Sequence, residues 1–143
     1  MKISTRGRYA LRVMIDLAEH NSGEYIPLTD IAGRQEISEK YLESIVSMLS
    51  KSGFLMSLRG KGGGYRLTRL PEDYSVREIL EVTEGSLAPI ACLEQPTNTC
   101  PRASVCKSLD MWQGLYDVMR DYLSGISIAD LAADTMEPGN FII

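Results

Sequence analysis

The residues with the clearest chemical potential are the chain's three cysteines, Cys92, Cys100 and Cys106, which lie close together in its second half. Structural disulfides are rare in a reducing compartment, so clustered thiols there favour metal binding or redox chemistry. A flexible loop that carries several thiolates can wrap an iron–sulfur cluster, because the thiolates neutralise the iron charge. Structural zinc sites favour CxxC pairs, which this chain lacks. The pattern favours an iron–sulfur site, and free structural cysteines are the alternative.

A fourth ligand is needed to complete the usual set around such a cluster. Asp110 is the candidate, since it lies one turn beyond Cys106 on a predicted helix and on roughly the same face. The alternative for Asp110 is a solvated acid on the helix surface. The single histidine, His20, ends the first predicted helix, far from the thiols along the chain. We expect it to interact with the dipole of that helix rather than with a metal.

The charge distribution indicates a front half that faces a polyanion. The chain has 143 residues and a net charge of −4, yet residues 1–71 carry 11 Lys and Arg against 7 Asp and Glu, whereas residues 72–143 carry 4 against 12. Between Glu43 and Glu72 there is no acid. The bases in that stretch are Lys51, Arg59, Lys61, Arg66 and Arg69. A local positive field favours nucleic acid as a partner, and a solvated basic face is the alternative.

Hydrophobic periodicity predicts the elements that position these residues. In the third predicted helix, Leu42, Ile45, Val46 and Leu49 form an apolar stripe that holds the helix to the domain and leaves its other side polar. A glycine-rich turn between two short strands indicates a hairpin. Helices are predicted over about residues 5–20, 28–35, 39–50, 76–83, 104–124 and 128–133, and strands over 54–58 and 65–68.

Two helices joined by a short turn and followed by a hairpin predict a winged helix-turn-helix. The expected fold is therefore mainly α, with a small β-hairpin wing and a long C-terminal dimerisation helix. The third helix fits the major groove of DNA, and Arg59 and Lys61 on the wing can reach phosphates or the minor groove. A helix-turn-helix that binds a protein partner is the alternative.

The predicted units are a winged helix-turn-helix DNA-binding domain (1–85), a cysteine-bearing sensor loop (86–106), a dimerisation helix with a short terminal helix (104–133) and a flexible tail (134–143).

Four stretches of the chain together resemble a family of bacterial winged-helix repressors. They are MKISTRGRYAL, PLTDIAGRQEISEKYLESIVSMLSKSGF, SLRGKGGGYRL and SVREILEVTEG. The family includes iron–sulfur cluster regulators (IscR), nitric-oxide-sensing repressors and cysteine-metabolism repressors. The resemblance implies a homodimer that binds a pseudo-palindromic operator in double-stranded DNA. By matching position it implies major-groove contacts from the third helix and a minor-groove contact from the wing. With the helix cap Ser38, the DNA-binding candidates are Ser38, Lys40, Tyr41, Glu43, Ser44, Arg59, Lys61 and Gly62.

The resemblance also bears on the cysteines. In the cluster-regulator branch, three cysteines at this place hold a two-iron two-sulfur cluster, and a histidine three residues past the third completes the set. This implies a 2Fe-2S cluster on the three cysteines of this chain. The position of that histidine is Leu109 here, and Asp110 remains the candidate fourth ligand. The nitric-oxide-sensing branch can use an acid near position 8 of the partner chain, where this chain has Arg8.

These features predict a homodimeric transcription regulator whose DNA binding is controlled by an iron–sulfur cluster. The resemblance implies cluster-assembly genes as its targets. The alternative with the same fold is a cluster-free repressor that senses thiols or cysteine status, alone or through a protein partner. An enzyme is not expected, because the chain has neither a CxxC motif nor a Cys/His pair in a catalytic pattern.

The late predicted helix carries a stripe of aromatic and methionine side chains. Trp112, Tyr116, Met119 and Tyr122 follow the helical period, which predicts a seam buried against a second copy of the chain. No stretch of about 18 apolar residues exists, so a membrane-spanning helix is not expected. The start of the chain lacks the apolar region of a secretory signal, and we expect a cytoplasmic protein.

Overall fold

The computed structural model describes residues 2–133, so the predicted flexible tail at 134–143 lies outside the described residues. The order of elements is that of a winged helix-turn-helix followed by a long helix, which confirms the predicted fold class. The helices are α1 (Thr5–Glu19), α2 (Leu28–Gln35), α3 (Glu39–Lys51), α4 (Val76–Glu84), α5 (Leu109–Ser124) and α6 (Ile128–Ala132). The strands are β1 (Leu55–Leu58) and β2 (Gly64–Leu67), and short 3-10 turns cover Pro71–Asp73 and Ala91–Leu93.

Serine side chains fix the starts of α1, α3, α4 and α6. Ser4, Ser38, Ser75 and Ser127 each accept a hydrogen bond from the backbone N–H three residues later. Such a cap satisfies a donor that would otherwise be unpaired and is worth about 1 kcal/mol. Ser38 has the most direct bearing on function, because it determines where α3 begins.

The inner face of α3 is completely buried. Leu42, Ile45, Val46 and Leu49 are each 0% exposed, and they share one core with α1, α2 and Ile128 of α6. Burial of each aliphatic side chain contributes about 1.5–3 kcal/mol. The core therefore fixes the orientation of α3 about its own axis, so that the opposite side of the helix faces outward.

The wing is an antiparallel hairpin in which Leu55 pairs with Leu67 and Leu58 pairs with Gly64. Gly64 has φ of +149°, and a Cβ there would collide with the carbonyl oxygen of Ile26. Glycine is therefore required where β2 comes close to the segment before α2. This close approach attaches the wing to the helical core.

Tyr74 joins the base of the wing to the C-terminal part of the chain. Its ring is 0% exposed, and its hydroxyl donates to the carbonyl of Phe54 at 2.8 Å. The same oxygen accepts from the backbone N–H groups of Thr68 at 2.9 Å and Arg69 at 3.0 Å. The carbonyl of Tyr74 accepts from the N–H of Ile128 at 3.0 Å. Tyr74 thus connects both ends of the hairpin through its hydroxyl and the segment after α5 through its backbone carbonyl.

The predicted start of the long helix at residue 104 is wrong, since α5 begins at Leu109. Residues 101–107 form turns closed by short-range bonds, such as that from the N–H of Val105 to the carbonyl of Arg102. Val105, the one large aliphatic residue in this stretch, is 60% exposed, so no apolar contact holds a further helical turn there. Cys106 consequently precedes the helix that carries Asp110, and the two residues do not share a helix face.

One side of α5 packs on the rest of the chain and the other side is open. Tyr116 and Leu123 pack against a small cluster built by Val76, Leu80 and Leu87. No α5 residue is fully buried. Large apolar side chains are exposed on the open side: Met111 at 55%, Val118 at 65% and Tyr122 at 68%. Within the described residues, no helix has the combined length and hydropathy for a membrane crossing.

Candidate nucleic-acid interface and cysteine loop

The outward side of α3 presents short polar and charged groups at its N-terminal half. Lys40, Glu43 and Ser44 are exposed. The hydroxyl of Ser38, also exposed, accepts from the N–H of Tyr41 at 3.2 Å and keeps its own hydrogen free to donate. A helix with donors and acceptors on one side and a buried opposite side suits the major groove of B-DNA.

Tyr41 is less free than its neighbours on α3. It is half-buried, and its ring packs edge-on against Tyr9 of α1, with 5.6 Å between ring centroids and an interplanar angle of 83°. Arg12 lies over the Tyr9 ring at 5.2 Å. The resemblance made Tyr41 a DNA-binding candidate. Its contact with Tyr9 joins α1 and α3, which are far apart in the chain, so no neighbouring residue indicated it.

A buried carboxylate on α1 forms hydrogen bonds with α2, and sequence reasoning missed it. Asp16 is 1% exposed and accepts from Arg34 through Nε at 3.0 Å and Nη2 at 2.7 Å, and from Gln35 Nε2 at 2.9 Å. The hydrogen bond to Asp16 raises the pKa of Arg34. Arg12 in turn donates to Gln35, and the next residue, Glu36, adopts a left-handed conformation with φ of +56°. The signal was present in the sequence, because Asp16 interrupts the apolar stripe of α1.

The wing presents its cations on an open turn. Arg59 and Lys61 are exposed, and glycines 60 and 62 have φ of +92° and +78° with open space around them. Lys51, at the end of α3, is also exposed. Within residues 2–133 none of these three bases has an ion-pair partner. Their charges are therefore available to an external polyanion.

The other two bases of the acid-free stretch serve the fold. Arg66 donates to the carbonyl of Gly23 at 3.0 Å and lies over the Tyr25 ring at 4.7 Å. Arg69 pairs with Glu78 at 3.0 Å and lies over the rings of Phe54 and Tyr74. Charge counting alone treated the five bases alike, and only the tertiary contacts separate them.

The three cysteines lie between α4 and α5, with Cys92 in the 3-10 turn Ala91–Leu93 and Cys100 and Cys106 on irregular backbone, and none forms a disulfide. Cys92 and Cys106 are half-buried, and Cys100 is exposed. The Cys106 sulfur is 3.5 Å from Ser108 Oγ. Hydrogen bonding from the side chain and then the backbone of Ser108, together with the charge of Arg102, lowers the pKa of the Cys106 thiol. This increases the share of the thiolate form, which is the form that binds metals and reacts.

A cleft of about 570 Å³ lies between the cysteine loop and α5. Cys92 and Asp110 both line it, along with Asn98, Gln113 and Arg120. In the part of the chain that the structure describes, no three His, Cys, Asp or Glu side chains gather into a ready metal site. The predicted ligand set is therefore not preassembled. Three free thiols on a turn-rich loop still fit thiolate ligation chemically, because such a loop can adapt around a cluster.

His20 lies where the sequence predicted, at the C-terminal end of α1. Its Nδ1 is 2.9 Å from the carbonyl oxygen of Asp16, and 3.8 Å from that residue's carboxylate. It therefore interacts with the end of the helix, as expected from the dipole argument.

Residues 3–134 match the family model of Rrf2, an iron-dependent transcriptional regulator. The "Protein rrf2" of Nitratidesulfovibrio vulgaris (strain Hildenborough) is 38% identical over 134 residues, which cover 94% of this chain and 89% of that protein.

Two solved structures resemble the fold over nearly its whole length. CymR of B. subtilis, the global cysteine regulator, superimposes with a TM-score of 0.75 at 33% identity, covering 92% of this chain and 96% of that one. T. potens IscR gives a TM-score of 0.74 at 33% identity, covering 98% of this chain and 95% of that one.

Proposed function

The chain belongs to the Rrf2 family of DNA-binding transcription regulators, which are not enzymes, and from that premise we propose a more specific function. It is a homodimer that binds a pseudo-palindromic operator under the control of a 2Fe-2S cluster held by Cys92, Cys100 and Cys106. The observation that carries the proposal is the position of three free thiols on the loop that connects the DNA-binding unit to the long helix.

For DNA, the proposal divides the work between α3 and the wing. Lys40, Glu43 and Ser44 contact base edges or phosphates in the major groove, where a carboxylate such as Glu43 can accept from cytosine N4. Arg59 enters the minor groove, whose negative potential rises as the groove narrows. Lys61 contacts phosphates. Gly62, which has no side chain and stands in open space, lets the turn approach the DNA backbone closely. Ser38 and Tyr41 fix the start of α3 and add contacts at its edge.

For sensing, the loop acts through the packing between α4 and α5. Leu87, at the start of the loop, is 4% exposed and packs with Val76 and Leu80 of α4, where Tyr116 and Leu123 of α5 also lie. A bound cluster supplies an iron-dependent and oxidation-sensitive crosslink. The three thiols and Asp110 would bind the cluster, and this binding would order the loop. The order of the loop then biases the position of α5, and with it the spacing of the two α3 helices.

We expect α5 to form the dimer contact, and Val118→Glu to raise the dimer dissociation constant at least about tenfold, the equivalent of about 1.4 kcal/mol. Val118 is 65% exposed in the protomer, so the change leaves the fold intact but places a charge in the apolar seam. Analytical ultracentrifugation measures the constant. Leu70→Glu is the matched control, because Leu70 is 59% exposed and lies outside α5. Equal dimer stability of both variants contradicts the seam.

The cluster itself is tested on protein purified without oxygen. We expect visible absorbance with equal amounts of iron and acid-labile sulfide, and loss of both when Cys92, Cys100 or Cys106 is replaced by serine. Asp110→Ala is expected to lower cluster retention, and Asp121→Ala, an exposed acid on the same helix, is the control. Operator affinity is then compared between loaded and stripped protein. Identical affinity and selectivity contradict cluster control.

A second candidate function is cluster-free sensing of thiol status. The likeness to the global cysteine regulator favours it, as does the lowered pKa of the Cys106 thiol. In that case protein reconstituted with iron and sulfide stays colourless, and operator affinity responds to mild thiol oxidation instead.

A further inference from the structure

The cleft between the cysteine loop and α5 contains a cation that is already oriented. Arg120 lines the cleft, and its guanidinium lies over the Tyr116 ring at 4.0 Å. Asp117 accepts from Arg120 Nη2 at 2.6 Å and from Gln113 Nε2 at 3.0 Å, and these hydrogen bonds lower the pKa of the Asp117 carboxyl. Nη1 of Arg120 is not buried, and no described group accepts from it. It is therefore free to donate to a ligand.

The cleft carries opposite charges at two well-separated places. Asp110 lines it from the first turn of α5, ten residues before Arg120, which is a rise of about 15 Å along the helix. Glu94 adds a second carboxylate from the loop. A single amino acid has its ammonium and carboxylate on one carbon and does not reach both places. An extended molecule with such groups at both ends does.

The rest of the lining combines a thiol with apolar surface. Cys92, Leu93 and Pro96 line the cleft from the loop, and Leu109 lines it from α5. Cys92 is half-buried, so its side chain remains partly accessible. The volume of about 570 Å³ is in the range of small-molecule sites, which are commonly apolar with a few charged groups. A molecule with charged ends, an apolar middle and reactivity toward thiols matches this lining.

We propose that the cleft binds a small disulfide made of two thiol amino acids or short thiol peptides, and that Cys92 exchanges with it. Arg120 binds a carboxylate at one end, and Asp110 binds an ammonium group at the other. Cys92 gives up its proton, and its sulfur attacks one sulfur of the bound molecule. A bond forms between Cys92 and one half, the original S–S bond breaks, and the other half leaves as a thiolate that takes up a proton. The small disulfide is itself the oxidant.

The exchange requires neither DNA nor iron, but its regulatory consequence rests on the proposed function. A Cys92 that is held in a mixed disulfide is no longer available as a cluster ligand. A rise in oxidised small thiols would then keep the protein in the cluster-free form even when iron is present. Reduction of the mixed disulfide by a free thiol would restore the ligand.

The order in which the cysteines react tests the site on the reduced, metal-free full chain. Cystine has zwitterionic ends, and bis(2-hydroxyethyl) disulfide has neutral ends. Peptide mapping by mass spectrometry is expected to find Cys92 modified first by cystine. The neutral disulfide should instead favour Cys100, which is exposed, or Cys106, whose thiol has a lowered pKa. The same order of reaction with both disulfides overturns the site.

Arg120→Gln should slow the reaction of Cys92 with cystine about tenfold, because one charge-assisted hydrogen bond is lost. Its rate with the neutral disulfide should not change, which shows that the loop is still folded. Arg102→Gln is the matched control, since Arg102 is an exposed cation of the same loop outside the cleft. Equal rates in the two variants contradict the role of Arg120. Loss of the cystine preference with a normal cluster contradicts this site alone, whereas a missing cluster with the preference intact contradicts the proposed function.

Discussion

Arg59→Ala is expected to lower operator affinity about 10- to 100-fold, which corresponds to about 1.4–2.8 kcal/mol. Arg59 is exposed on the open turn of the wing, and within the described residues it has no ion pair to lose. The loss therefore falls on the DNA complex and not on the fold. The slope of log affinity against log salt should decrease by about 1 for each protomer. Fluorescence anisotropy titrations at several salt concentrations measure both quantities.

Glu43→Ala is the matched comparison, because it should change the base selectivity of binding, whereas Arg59→Ala should change its affinity and salt dependence. A carboxylate in the major groove accepts from cytosine and repels phosphates, so its removal should relax base selection and leave the salt slope nearly unchanged. Both side chains are exposed, and the melting temperatures should stay near that of the wild type. If both variants weaken selected and unrelated duplexes equally, the proposed division between groove contact and base selection is wrong.

Tyr74→Phe is expected to destabilise the protein by about 2–3 kcal/mol and to lower its melting temperature by roughly 6–10 °C. The hydroxyl makes three hydrogen bonds with backbone groups at both ends of the hairpin, a buried one at 2.8 Å and two partly buried ones at 2.9 and 3.0 Å. Phenylalanine fills the same space but leaves two N–H groups and one carbonyl without this partner. Thermal unfolding followed by circular dichroism measures the change.

Tyr122→Phe is the control for the loss of a tyrosine hydroxyl, because Tyr122 is 68% exposed in the single chain and its hydroxyl forms no hydrogen bond with any other described residue. Its unfolding should be measured at a fixed protein concentration, since α5 is the proposed dimer helix. If Tyr74→Phe and Tyr122→Phe unfold at the same temperature, the base of the wing is held by packing and not by the hydroxyl.

The sequence predicted the features that depend on neighbouring residues. Ser38 caps α3 because a side-chain oxygen three residues before an N–H is a local arrangement, and the stripe from Leu42 to Leu49 is buried because helical spacing puts it on one face. The turn at residues 59–64 was predictable from its glycines. These features place the outward side of α3 and the cationic wing, which is most of the candidate DNA interface.

The features that the sequence did not predict come from contacts between distant residues. The hydrogen bonds of Asp16 to α2, and the use of Arg66 and Arg69 by the fold, depend on where other elements pack. The start of α5 was misplaced because residues 104–108 have a helical spacing but no surface to pack against, as the exposure of Val105 indicates. The arrangement of the proposed cluster ligands also depends on distant contacts, since the described loop does not gather them by itself.

The position of Ile128 limits how this molecule can be dissected. It is 0% exposed and lies in the same core as the inner face of α3, although it follows the long helix in the chain. A recombinant fragment that stops before α5 would leave a hole in the centre of the DNA-reading unit. The front of the protein is therefore not a transplantable module, and fusions that exchange sensor halves between regulators must retain this last short helix with the half that it completes.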